Sequence, residues 1–164
     1  VYYFRLQVIN EGKSQARKCE VILEKLWIYD SSDKPKLYSN FSSVNMVWVG
    51  SLNEFTSINP KRKIFCDIGH ISSQNFQKEY EQNKFIDICD YKGTDLRFVF
   101  DLNRIYYSKP NCLIPGKYIL QIGLYSENAD YQKEYFNITW SGKWQDEENE
   151  MFREIVIKRS NCPN

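Results

Sequence analysis

Pro115-Gly116-Lys117-Tyr118-Ile119-Leu120-Gln121-Ile122-Gly123-Leu124 decides the fold. Tyr118, Leu120, Ile122 and Leu124 fall at every second position, the period of a strand with one buried face. The Pro-Gly pair ahead of them is a turn signal, because Pro fixes φ and Gly tolerates a reversal. The same period recurs outward from here. Leu96, Phe98, Phe100 and Leu102 alternate with Arg97 and Asp101, and Phe136, Ile138 and Trp140 follow the key stretch. Toward the N-terminus, Ile64, Cys66 and Ile68 alternate after a turn at Pro60, and Val44, Met46 and Trp48 form a shorter run. The chain opens with Tyr2, Phe4, Leu6 and Val8 in phase. Cys19, Val21 and Leu23 come next, but the phase slips before Leu26 and Ile28, which predicts a bulge near Glu24-Lys25. The last run, 151–158, reads as a closing strand through Ile155, Val156 and Ile157.

Helical patterning is scarce. Phe76 and Tyr80 stand four apart within 74–84, enough for a short surface helix, and Phe85-Ile86-Asp87-Ile88-Cys89 reads as an extra edge strand. Residues 72–95 are therefore expected to be an insertion. Residues 30–43 are rich in Ser, Asp, Lys and Asn and are expected to be loop, and 50–63 is long for a hairpin connection. Many short strands without intervening helices argue for an all-β sandwich or barrel and against alternating βαβ units. The expectation is one antiparallel β-sandwich over 1–164, of roughly seven to nine strands.

Composition sets the outer limits. The chain has 164 residues, with 42% apolar and 26% charged residues. Twelve Tyr, ten Phe and four Trp exclude a disordered chain. A formal net charge of +1 gives no global field to steer nucleic acid or an anionic membrane. No apolar run approaches the ~18 residues of a membrane span. The chain starts at Val1, already in strand-like sequence, so an excised or processed piece of a longer protein is expected, with a signal, anchor or further domain ahead of it.

Two stretches resemble immunoglobulin-like sandwich domains of bacterial and archaeal surface proteins, nearest to the "cell adhesion related" modules of bacteria. One is Phe4-x-Leu6-x-Val8-x-Asn10-x-Gly12 with Ala16 and Cys19-x-Val21-x-Leu23; the other is Pro115-Gly116-Lys117-Tyr118-x-Leu120-x-Ile122. The resemblance implies an immunoglobulin-like topology. It implies that Asn10-x-Gly12 turns the chain, with Gly supplying positive φ, and that the small Ala16 lets the second strand dock. Such modules lend no catalytic residue.

Candidate chemistry is thin. The five cysteines, at 19, 66, 89, 112 and 162, lie at least 23 positions apart, which matches no zinc pattern. Cys19, Cys66 and Cys89 sit in strand-like runs and are expected to be small, reduced, buried hydrophobes; the alternative is one or more disulfides in an oxidising compartment. His70 is the only histidine. A strand separates Cys66 from His70 by ~13 Å, so they form a nucleophile–base pair only if the chain bends at Gly69. Asp87, Asp90, Asp95 and Asp101 fit no calcium loop and are expected to be solvated acids. The basic groups Lys13, Arg17, Lys18 and Lys61, Arg62, Lys63 flank turns, too narrowly for a nucleic-acid surface. Asn40-Phe41-Ser42 and Asn137-Ile138-Thr139 match the glycosylation acceptor pattern, the second inside a strand.

Aromatic residues give the sharpest signal. In Tyr2-Tyr3 and Tyr106-Tyr107 one ring of each pair must leave the core face. Trp140 is expected to face the core. Trp144, beyond Gly142, either folds over the sandwich end or stands exposed. Trp144, Lys143 and Tyr107 are therefore the candidate binding residues, with the acids at 146–148 as a polar rim. The expected function is a non-enzymatic interaction or structural module of a larger prokaryotic protein, cytoplasmic or at the cell envelope and tethered by a preceding segment. Its partner is another protein or other domains of the same chain. The alternative is a module binding carbohydrate or a small ligand on Trp and Tyr. No catalytic residue, cofactor or metal site is expected, no nucleic-acid partner, and no membrane insertion by this segment.

Overall fold

The computed structural model describes residues 1–51, 53–73, 96–101 and 112–163. The expected helix over 74–84, the edge strand over 85–89 and Tyr107 lie outside the described residues. What is described is mostly β, in two antiparallel sheets. The chain runs β1 (Tyr2–Ile9), β2 (Ala16–Tyr29), β3 (Pro35–Leu37), β4 (Val44–Asn45), β5 (Val47–Trp48), β6 (Thr56–Ile58), β7 (Lys63–Ile71), β8 (Phe98–Phe100), β9 (Cys112–Leu113), β10 (Gly116–Ser126), β11 (Ala129–Trp140), α1 (Glu148–Glu154) and β12 (Ile155–Ser160). One sheet has the order β1-β7-β8-β9, with β5 also on β7. The other runs β12-β11-β10-β2-β3, with β4 and β6 also on β2. Twelve strands among the described residues exceed the seven to nine expected. The surplus comes from two- and three-residue pieces, which carry too few side chains to show a period. Two of them, β3 and β6, fall in stretches read as loop.

The key stretch is a strand, as its alternation predicts, but it is buried on both faces: Ile119 and Gln121 are buried on the outer side, and Leu124 is only partly buried. Tyr118, Leu120 and Ile122 are buried on the inner face of β10, opposite Ile138, Phe136 and Glu134 of β11. They join Val21, Leu23 and Leu26 from β2 and meet Phe4, Val8, Cys66, Ile68, Phe98 and Phe100 from the other sheet in one core. Trp140 is core-facing, as expected.

Each sheet contains a bulge that sets which side chains face out. On β2, Gln121 pairs with Lys25 and Ile122 with Leu23, so Glu24 is the extra residue. This is the bulge that the phase slip predicts. On β7, Phe4 pairs with Gly69 and Arg5 with Asp67, so Ile68 is extra. Cys66 and Gly69 therefore both face the core, and His70 faces out beside Tyr3. A Cβ on Gly69 would lie 2.7 Å from the Phe98 ring and 2.4 Å from the Val99 carbonyl, so this position requires glycine.

Two sequence expectations are corrected. The last run begins as a helix: α1 buries Met151, places Glu148 and Glu150 in its first turn and Arg153 in its last, and passes directly into β12. The turn glycines of the family resemblance do not use positive φ; among the described glycines only Gly50 and Gly142 do. Instead the Gly12 amide donates to Asn10 Oδ1, and Gly116 leaves room for the Tyr118 ring, whose hydroxyl donates to the Ile114 carbonyl (2.8 Å). Cys112 is disulfide-bonded. Cys19 and Cys66 are buried and free, and Cys162 is exposed.

Candidate functional site: the outer face of the β1–β7 sheet

Outward positions on β1 are Tyr3, Arg5, Gln7 and Ile9, and the bulge at Ile68 brings Phe65, Asp67 and His70 of β7 beside them. Val47 of β5 lines up with Asp67, and the Val49 amide donates to the Phe65 carbonyl, extending the face sideways. Four apolar residues on this face stay in water: Tyr3 at 53%, Ile9 at 49%, Phe65 at 41% and Val49 at 41% exposure. Single exposed hydrophobics are ordinary, but a contiguous group on one sheet face is not.

A polar centre lies among them. Arg5 Nε donates to Asp67 Oδ1 (2.8 Å), and its guanidinium sits 5.4 Å from the Tyr3 ring centroid. His70 packs its ring 5.6 Å from Tyr3, and its Nδ1 donates to Asp101 Oδ1 (2.8 Å). The other Asp101 oxygen is buried with no hydrogen-bond partner among the described residues. A buried acceptor without a donor is uncommon and costs free energy.

The histidine does not meet a thiol. Cys66 lies on the core side, and burial pushes its thiol well up, with Asp67 and Asp101 adding to the effect. It stays protonated at neutral pH and is a poor nucleophile. Trp144 and Lys143 share a turn at the open side of the two sheets. Trp144 is half-buried, its ring 5.2 Å from Tyr2, and its Nε1 donates to Asp146 Oδ1 (2.7 Å). Tyr2 donates to the Asp146 carbonyl (2.6 Å), while Lys143 is exposed. Gly142 adopts φ +84° with its α-carbon face against Pro115, where a Cβ would approach Pro115 Cγ to 2.4 Å, and so pins this turn to the Pro-Gly turn. Tyr2 is part-buried and Tyr3 exposed, the split that an adjacent pair requires.

The opposite outer face, on β2, β10 and β11, holds a network that sequence reasoning missed. The bulged Glu24 accepts from Tyr125, from Tyr131 (2.7 Å) and from Gln121 Nε2 (2.5 Å). Partial burial pushes its carboxyl up, but these three donors, with Lys25 nearby, outweigh that and hold it below the usual range. The Tyr125 and Tyr131 rings lie 4.7 Å apart, and Gly123 makes the space in which the carboxylate sits. The phase slip at Glu24 was the one available signal; the partners are about a hundred positions away.

Comparison with protein-family models, curated proteins and solved structures finds no match for this chain. The likeness to immunoglobulin-like modules therefore rests on residues 4–23 and 115–122 alone.

Proposed function

We propose that this chain is a non-enzymatic interaction module of immunoglobulin-like sandwich type. Its contact surface is the outer face of the β1–β7 sheet, and its partner is a protein. The observation that carries the reading is the exposed group Tyr3, Ile9, Val49 and Phe65 around the Arg5–Asp67 and His70–Asp101 pairs. Apolar area surrounding a few placed polar groups suits protein association. Lys143 and Trp144 extend the proposed surface along the neighbouring edge, through Tyr2. Tyr107 belongs to it on sequence grounds. The Tyr118 hydroxyl bound four residues upstream supports the immunoglobulin-like topology, since such sandwiches use a tyrosine in this way at a corner between strands. The disulfide at Cys112 favours the cell envelope over the cytoplasm.

The test is a photo-crosslinking residue at position 65 in source cells, followed by titration of the captured partner in purified form. Phe65→Ser and Val49→Ser should each weaken that binding about tenfold or more while leaving the melting temperature in place. Unchanged affinity in both variants removes this face.

A second reading has its own observation. Tyr131 is exposed at its ring but fixed through its hydroxyl to Glu24, next to Tyr125. Fixed aromatic faces beside a carboxylate suit sugar rings. A glycan array, repeated with Tyr131→Ala, separates this reading from the first.

A further inference from the structure

We propose that β1 pairs antiparallel with β1 of a second copy of this chain, with Leu6 on the two-fold axis, forming one continuous sheet across a homodimer. It shares Tyr3 and Ile9 with the partner surface proposed above, but is argued from the backbone of the strand edge.

The argument starts from backbone direction. Asn10 donates its N–H to the Arg62 carbonyl and accepts from the Lys61 N–H at its own carbonyl, so its polar groups face the β7 side. Strand alternation then points the amides and carbonyls of Val8, Leu6 and Phe4 toward β7. Those of Tyr3, Arg5, Gln7 and Ile9 point away. The bulge lies on β7, so the alternation along β1 is unbroken. Among the described residues β1 pairs with β7 alone. Among the described residues, four residues of β1 therefore present donors and acceptors at an edge with no strand partner.

Open edges invite pairing unless they are guarded. The other sheet guards its edges: β12 carries Lys158 and Arg159, and β3 carries Pro35 and Lys36. β1 has one charge, Arg5, and that charge is folded back onto Asp67 and the Tyr3 ring of its own sheet. An unguarded eight-residue edge beside two guarded ones points to a strand partner.

Charge and side chains select the register. A two-fold axis perpendicular to the sheet keeps outward residues opposite outward residues. Centred on Leu6, the pairing sets Tyr3 against Ile9 and Arg5 against Gln7, each twice. Phe4 meets Val8 and Leu6 meets Leu6 on the core side. Tyr3 and Ile9, both half in water in one copy, then cover each other as an aromatic–β-branched pair. A shift of two residues in one direction puts Arg5 against Arg5. The opposite shift leaves Tyr3 without a facing residue. The Leu6-centred register alone uses the whole strand without opposing like charges, and it closes about eight backbone hydrogen bonds.

Proline substitution tests this at a single atom. Gln7→Pro removes an N–H that points to the open edge and leaves the β1–β7 ladder intact, the one kind of strand position where proline is tolerated. Sedimentation equilibrium of the full chain up to about 200 µM should show a dimer for the parent and a monomer for Gln7→Pro. The two melting temperatures should agree once extrapolated to low concentration. Ile9→Lys, at an exposed position that cannot unfold the strand, should weaken the dimer about tenfold or more. Phe65→Ser, on the face and away from the edge, should leave dimerisation unchanged. A monomeric parent across this range overturns the proposal. So does a dimer that survives both Gln7→Pro and Ile9→Lys, because it would use another surface.

Discussion

On the outer face of the β2–β10–β11 sheet the Glu24 carboxylate collects three donors, whereas on the β1–β7 sheet Asp101 has one donor and one buried oxygen without any among the described residues. Both faces are built around a bulge that turns an ionisable side chain outward. They differ in whether the chain completes what the bulge begins. A closed network, held by tyrosines that are themselves stacked, ties β2 to β10 and β11 and is structural in the first place. The open face leaves apolar rings in water, so its remaining contacts are with something else. The β11 face has its own buried acceptor without a partner among the described residues, Asn137 Oδ1, so the exposed apolar group on the β1–β7 face is what tells the two apart.

The core beneath both faces sets the upper scale. Leu120→Ala or Ile122→Ala should each cost ~2–5 kcal/mol in urea unfolding, as cavities in a packed interior. Next comes Glu24→Ala, which strands Gln121 and two phenols and should cost ~1–3 kcal/mol. Phe65→Ser on the open face should stay within about 0.5 kcal/mol. Equal losses from these two variants would erase the distinction between closed and open faces.

A pH series sharpens it further. The folded state lowers the Glu24 pKa, so ionised Glu24 adds stability above the ordinary carboxylate range, and this is lost as pH falls through the lowered value. The stability gap between the parent and Glu24→Gln should therefore be constant near neutral pH and close on acidification. A gap that widens in acid contradicts the network. Trp144→Ala, at the edge between the faces, should lower the melting temperature by several degrees, ~2–4 °C for each kcal/mol of lost packing on Tyr2. The smallest effects belong to reactive groups with no role in the fold's chemistry. A thiol reagent should label Cys162 in the native protein and reach Cys19 and Cys66 only in denaturant, and His70→Ala should retain the native circular dichroism.

Much of the fold was legible because apolar residues recur with a period of two in the sequence of β1, β2, β10 and the end of β11, and because a bulge breaks that period where Glu24 stands. The second bulge was not. Ile64, Cys66, Ile68 and His70 keep perfect alternation in sequence, and only the register against Phe4 and Arg5 reveals that Ile68 is extra. The helix α1 was missed because Met151, Phe152 and Ile155 also suit a strand, and seven residues are too few for a helical period to stand out. As for the site, the sequence pointed to Trp144 and Lys143 through a glycine turn. The apolar face of β1 and β7 depends on which strands become neighbours, and the partners of Glu24 lie across 97 to 107 positions of chain. No local pattern encodes such distances.

The bulges also bear on how the length of this chain can vary. Deleting Ile68 would remove a core side chain and the carbonyl that accepts from the Asp101 amide, but would keep the β1 pairing, Phe4 with Gly69 and Tyr3 with His70. Deleting Glu24 would likewise keep Leu23 and Lys25 on their faces, while losing the acceptor of Gln121, Tyr125 and Tyr131. A one-residue deletion elsewhere within β7 or β2 would exchange inside for outside along the rest of the strand, burying charges and exposing the core. These two positions are thus places in the long paired strands where the gene can gain or lose one codon without inverting the rest of the strand. In an alignment of homologues, single-residue gaps within these strands should gather at 24 and 68.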